Sequence, residues 1–110
     1  MDNEVTTELV IPEGTTVIEG SAYRYWKDLE IVVIPEGVTR IGSSAFEGCT
    51  GLISVVIPNS VTSIDASAFK DCSALTSITI GEGVTKIDYS AFYNCTALEE
   101  IRFNAVAMED

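Results

Sequence analysis

LISVVIPNSVTSIDASAFKDCSAL, residues 52–75, carries the pattern that decides the fold. Its small or apolar positions are Leu52, Val55, Ile57, Val61, Ile64, Ala68, Phe69, Cys72 and Leu75. The same series stands 23 residues earlier, at Leu29, Val32, Ile34, Val38, Ile41, Ala45, Phe46, Cys49 and Leu52. It returns 23 residues later, at Leu75, Ile78, Ile80, Val84, Ile87, Ala91, Phe92, Cys95 and Leu98. Ile11-Pro12, Ile34-Pro35 and Ile57-Pro58 mark the beat, and Ile80-Gly81 and Phe103-Asn104 continue it. A fixed period of this size means a solenoid, in which each rung packs only on its neighbours.

Within a rung the pattern separates into parts. Val55 and Ile57 are two residues apart and point to one side of a strand, while Ser54 and Val56 point to the other. Pro58 ends that strand because it brings no N–H to a ladder. The β-branched run Val61-Thr62-Ser63-Ile64 predicts a second short strand. Asp65-Ala66-Ser67 can satisfy free N–H groups at a helix start, so Ala68-Phe69-Lys70-Asp71-Cys72 is expected as a helical turn with Phe69 inward. The first rung is worn: Thr15 replaces Val, Tyr23 replaces Phe and Trp26 replaces Cys. Terminal rungs are commonly atypical.

Leu52-x-x-Val55-x-Ile57 is the strand signature of a leucine-rich repeat. The longer pattern Pro-x-x-Val-Thr-x-Ile-x-x-x-Ala-Phe-x-x-Cys-x-x-Leu resembles the BspA-type, or treponemal-type, leucine-rich repeat family. The likeness runs from about Leu9 to Phe103, with Gly81 and the first rung departing from it. The expected fold is a mostly β, right-handed leucine-rich-repeat solenoid of about four 23-residue rungs, with short strands and short helical turns. The resemblance implies a microbial cell-surface or secreted protein that binds other proteins. That step is an analogy from fold, and one fold hosts many functions.

Composition narrows the function classes. Seventeen acidic against six basic residues give a net charge of −11. That excludes a phosphate-binding basic patch, hence nucleic acid, and disfavours an anionic membrane surface. No apolar run reaches the length of a membrane span, so no membrane insertion is expected. Met1-Asp2-Asn3-Glu4 does not open a signal peptide. The chain reads as one solenoid domain over residues 1–110, cut from a longer protein.

Each chemical motif has a structural reading beside it. Cys49, Cys72 and Cys95 occupy one place on successive rungs. Parallel side chains suit a disulfide poorly, and three thiols without histidine do not make a zinc site, so reduced, buried cysteines are expected. Glu13, Glu36, Asn59 and Glu82 form one acidic column, and Glu19, Gly42, Asp65 and Asp88 another. Neither offers the convergent oxygens that calcium needs, so no metal and no cofactor is expected. With no histidine in the chain and Ser21, Ser44, Ser67 and Ser90 repeating as turn residues, no positioned acid, base and nucleophile emerges. The chain is therefore read as no enzyme. Asn94-Cys95-Thr96 fits a glycosylation sequon but repeats the turn slot of Gly48-Cys49-Thr50.

Two surfaces remain as candidates for a protein partner. Val10, Val33, Val56, Thr79 and Arg102 form one outward column on the first strand of each rung, with Ile31 and Ile53 beside it. Val10, Ile31, Val33, Ile53 and Val56 would then make an exposed apolar patch. Tyr23, Arg24, Tyr25 and Trp26, followed by Lys27, form the second, since aromatics with arginine are frequent anchors; the favoured reading of them is a lid on the terminal rung or a seam to a missing domain, because Tyr23 and Trp26 fall on inward positions. The function expected is a non-catalytic, adhesion-type protein-binding module. The alternative is a passive spacer that carries other domains. Weak self-association through the solenoid ends or the strand face is also expected.

Overall fold

The structure, a computed structural model, describes residues 7–103. The incomplete last rung expected over 104–110 lies outside them. The described chain winds into a solenoid of about four turns, roughly 23 residues apart. Odd-numbered strands are β1 (Glu8–Val10), β3 (Ile31–Val33), β5 (Ser54–Val56), β7 (Ser77–Ile80) and β9 (Glu100–Phe103). Even-numbered strands are β2 (Val17–Ile18), β4 (Arg40–Ile41), β6 (Ser63–Ile64) and β8 (Lys86–Ile87). The first set forms a parallel sheet in the order β1-β3-β5-β7-β9, and the second a parallel sheet in the order β2-β4-β6-β8.

Register follows the repeat. Leu9 pairs with Val32, Val32 with Val55, Val55 with Ile78 and Ile78 with Ile101. On the other sheet Ile18, Ile41, Ile64 and Ile87 pair in series. Alternation on each strand turns these residues inward and their neighbours outward. Both inner faces meet in one core that includes Leu29, Leu52, Leu75, Val38 and Val61. Short strands of two to four residues suffice because each inner strand is paired on both sides within the stack.

The expected helical turn is not a helix. Ser67 and Asp71 adopt left-handed backbone, φ 60° and 63°, and Ser44 and Gly48 do the same one rung earlier at 61° and 75°. Two such residues per turn interrupt any right-handed helix. The amides then alternate in direction. Those of Ala68, Lys70 and Cys72 bond back to the carbonyls of Asp65, Ser67 and Phe69, while those of Phe69 and Asp71 reach across to Ala91 and Tyr93 on the next rung. A helix would have kept every amide within its own rung. The left-handed positions cost about 1–2 kcal/mol each outside glycine, which the added inter-rung bonds offset.

The turns drive an aromatic column into the core. Tyr23 stacks on Phe46 at 5.4 Å, Phe46 on Phe69 at 5.3 Å and Phe69 on Phe92 at 5.5 Å between ring centroids. Phe46 and Phe69 are fully buried, and Tyr23 and Phe92 at the ends are half-buried. At the close of the stack, Gly81 stands where earlier rungs have Pro35 and Pro58. A Cβ built on it would collide with the Pro58 carbonyl, so the last rung is drawn in tightly there.

Candidate binding surface

The five-stranded sheet presents the outward columns expected of it. Val10 pairs with Val33, and Val56 with Thr79 and then Arg102. Ile31 stands between Glu8 and Ser54 in the neighbouring column. Ile53 lies just before β5, where its amide bonds to the Glu30 carbonyl. All five apolar residues are open to solvent: Val10 is 60% exposed, Ile31 38%, Val33 43%, Ile53 47% and Val56 62%. The fold thus brings them onto one face. Adjacent strands lie about 4.8 Å apart, so the Val10–Val33–Val56 column is roughly 10 Å long.

Carboxylates frame this strip. Glu8, Glu30 and Glu100 lie on its side nearer the strand starts. Glu13, Glu36 and Glu82 lie on the other, along the corner where each rung turns away. That corner is a hydrogen-bonded ladder: the Asn59 amide donates to Glu36 at 3.3 Å, and the Glu82 amide to Asn59 Oδ1 at 2.8 Å. Among described residues Arg102 is the cation of this strand face, and Glu100 holds it at 2.8 Å. Arg40 and Lys86 instead project from the four-stranded sheet, while Arg24 and Lys70 sit in one column of the turns.

The second candidate divides. Tyr23 and Trp26 pack half-buried against the core, with ring centroids 6.2 Å apart. Arg24 and Tyr25 remain outside, the guanidinium 4.6 Å above the Tyr25 ring. Arg24 also meets Glu47 at 3.3 Å. The Tyr25 ring lies so close over Gly48 that a Cβ there would strike it, and the φ of +75° independently asks for glycine. This cluster ties the first rung to the second. The Glu47 carboxylate, the one buried charged residue among those described, escaped the sequence reading. Its signal was available in the column Arg24, Glu47, Lys70, Tyr93, where opposite charges alternate at the repeat spacing.

The remaining motifs are engaged within the fold. Cys49, Cys72 and Cys95 are free thiols, each donating to a backbone carbonyl of the preceding rung: Tyr23 at 3.3 Å, Phe46 at 3.2 Å and Phe69 at 3.0 Å. Burial pushes the Cys49 thiol up to about 11 and raises those of Cys72 and Cys95. Cys95, in the last full rung, is only partly buried. A shallow groove of about 260 Å³ runs past Arg40, Asp65, Lys86 and Asp88. Arg40 is held by Asp65 at 2.8 Å, and Asp88 accepts both the amide and the hydroxyl of Ser90. Those bonds hold the Asp88 carboxyl below the usual carboxylate range. Among described residues no cluster of three or more acidic or thiol ligands could hold a metal ion. Asn94 is exposed, and its side-chain amide donates to Asp71 at 2.9 Å.

A parallel β-solenoid with 23-residue rungs and an open five-stranded face defines a leucine-rich-repeat protein. The chain belongs to the BspA-type leucine-rich repeat family, whose model, described as BspA type leucine rich repeat region (6 copies), it matches over residues 2–108. Among solved structures it is similar to a leucine rich cell surface protein of Faecalibacterium prausnitzii A2-165, with 30% identity and a TM-score of 0.80 over 90% of this chain and 32% of that one. It is similar as well to a leucine-rich repeat protein of Bacteroides ovatus ATCC 8483, with 41% identity and a TM-score of 0.80 over 87% of this chain and 25% of that one. The chain thus spans a third or less of those two proteins. No curated protein matches it. No helix among the described residues is long and apolar enough to cross a membrane.

Proposed function

We propose that the chain is a non-catalytic, adhesion-type protein-binding module of a microbial cell-surface or secreted protein, and that its five-stranded face receives the partner. One observation carries this reading: Val10, Ile31, Val33, Ile53 and Val56 are gathered on one open sheet face. Contiguous apolar patches of this kind mark contact sites more often than scattered exposed residues do. The similarity to a cell surface protein supports the location. The competing reading, a passive spacer, has its own support in the regular columns and the internally bonded turns.

The test replaces Val33 and Val56 together by threonine. Thr79 already continues that column, so the fold tolerates the change. The chain is immobilised and exposed to purified extracellular-matrix and microbial surface proteins, with binding followed by interferometry. Saturable binding that the double variant loses, at an unchanged melting temperature, supports the module. The absence of saturable binding, or binding indifferent to the variant, supports the spacer.

A further inference from the structure

The strand face is more than apolar. Carboxylates stand on both long sides of its first two rungs, Glu8 and Glu30 on one and Glu13 and Glu36 on the other, while Arg102, held by Glu100, is the one cation on this face among the described residues. At about 3.3 Å per residue, Glu8 stands roughly 7 Å from Val10 along the strand, and Glu13 within about 10 Å on the other side. Lysine or arginine side chains of a docked segment span such distances while an apolar centre rests on the valines. The opposite sheet is mixed in charge, since Arg40 and Lys86 project from it beside Asp65 and Asp88. The apolar strip thus lies on the more acidic of the two sheet faces.

We infer that this face selects a basic protein segment: one with an apolar centre seated on Val33 and Val56, and lysines or arginines on its flanks facing the Glu8–Glu30 and Glu13–Glu36 rims. The inference rests on the strand face being the docking surface. Apolar contact supplies the interface, and the rims choose its sign and speed the encounter. An acidic segment of equal hydrophobicity meets like charge on both edges and is rejected. Such binding weakens as salt screens the rims, while contact with the valines is retained.

The test uses three synthetic peptides with one shared aliphatic centre, flanked by lysine, glutamine or glutamate. Each is titrated into the intact chain by fluorescence anisotropy at about 50 and 500 mM NaCl. The lysine-flanked peptide is expected to bind at least about tenfold tighter than the glutamine-flanked one at low salt, and the glutamate-flanked one not at all. Two variants divide the contributions. Val33→Thr with Val56→Thr weakens the lysine-flanked peptide about tenfold, and Glu13→Gln with Glu36→Gln reduces its advantage over the glutamine-flanked peptide. Arg40→Gln, on the opposite sheet, changes neither. Equal, valine-dependent binding of the lysine- and glutamine-flanked peptides overturns the charge selection and leaves the docking face standing. Binding of the lysine-flanked peptide that ignores the valine variant, and that polylysine matches, overturns the inference as diffuse attraction. If no peptide binds, both the selection and the docking face fail.

Discussion

Phe69 is buried between two rings on neighbouring rungs. Truncation to alanine opens a void that three rungs share and that the stacked turns cannot close. We expect Phe69→Ala to cost roughly 3–5 kcal/mol, read as a fall in the urea midpoint; an unchanged midpoint would contradict the register. The thiols give a second expectation at this scale. Cys49 titrates near 9.0 when unfolded and about 11 when folded. The folded state therefore holds its proton more tightly. The corresponding stability is complete below about pH 9 and is lost as pH rises from there through 11. The urea midpoint should fall across that window, and less steeply in Cys72→Ala, which removes the thiol at the middle of the ladder. In the native protein Cys95 should react first with a thiol reagent, because it is the partly buried member.

At the level of elements, stability is shared between neighbouring rungs and fades toward the ends. Ile78 and Ile101 hold equivalent positions on β7 and β9, yet the first is buried and the second 47% exposed. Ile78→Ala is expected to cost about 2–5 kcal/mol and Ile101→Ala about 1 kcal/mol or less. Amide exchange should agree, with β5 and β7 the slowest strands and β9 the fastest; comparable rates throughout would mean that the last rung is capped. The strands were legible in the sequence because two signals coincide in them: alternation along a strand and recurrence across rungs. The outward columns of Val10, Val33 and Val56 followed from the same arithmetic. The turn was not legible, because Asp65-Ala66-Ser67 reads locally as a helix start. What overrides it is non-local, the pull of the next rung on the amides of Phe69 and Asp71. Glu47 was missed for a related reason, since its burial depends on Arg24 in the preceding rung.

For the whole molecule, charge and apolar surface act in opposition. The acidic columns are spread along corners and turns, where Glu36 and Asp88 accept backbone amides and Asp65 faces Arg40. Removing calcium with a chelator should therefore leave the melting temperature nearly unchanged, and a large calcium-dependent rise would overturn that account. Moderate salt should raise the melting temperature by screening like charges. The same screening removes the repulsion between copies that each carry −11. Ile87 on β8 and Ile101 and Phe103 on β9 are exposed, and among the described residues β9 is the edge strand of its sheet. Weak self-association that grows with salt and concentration is the expected result in light scattering. A scattering mass that stays monomeric throughout would argue for ends already covered.

The pairing of each residue with the one 23 positions on has a genetic consequence. A contact partner depends on place within the rung, not on place along the chain. Duplicating the segment encoding 52–74 therefore inserts a rung whose two surfaces already match both neighbours. Unequal crossing-over between rungs, if it occurs in register, yields a longer or shorter protein that still folds. A duplication one residue too long would exchange inward and outward side chains along every strand pair at the junction. Length in this architecture is thus open to change by recombination in whole steps, and closed to it in between.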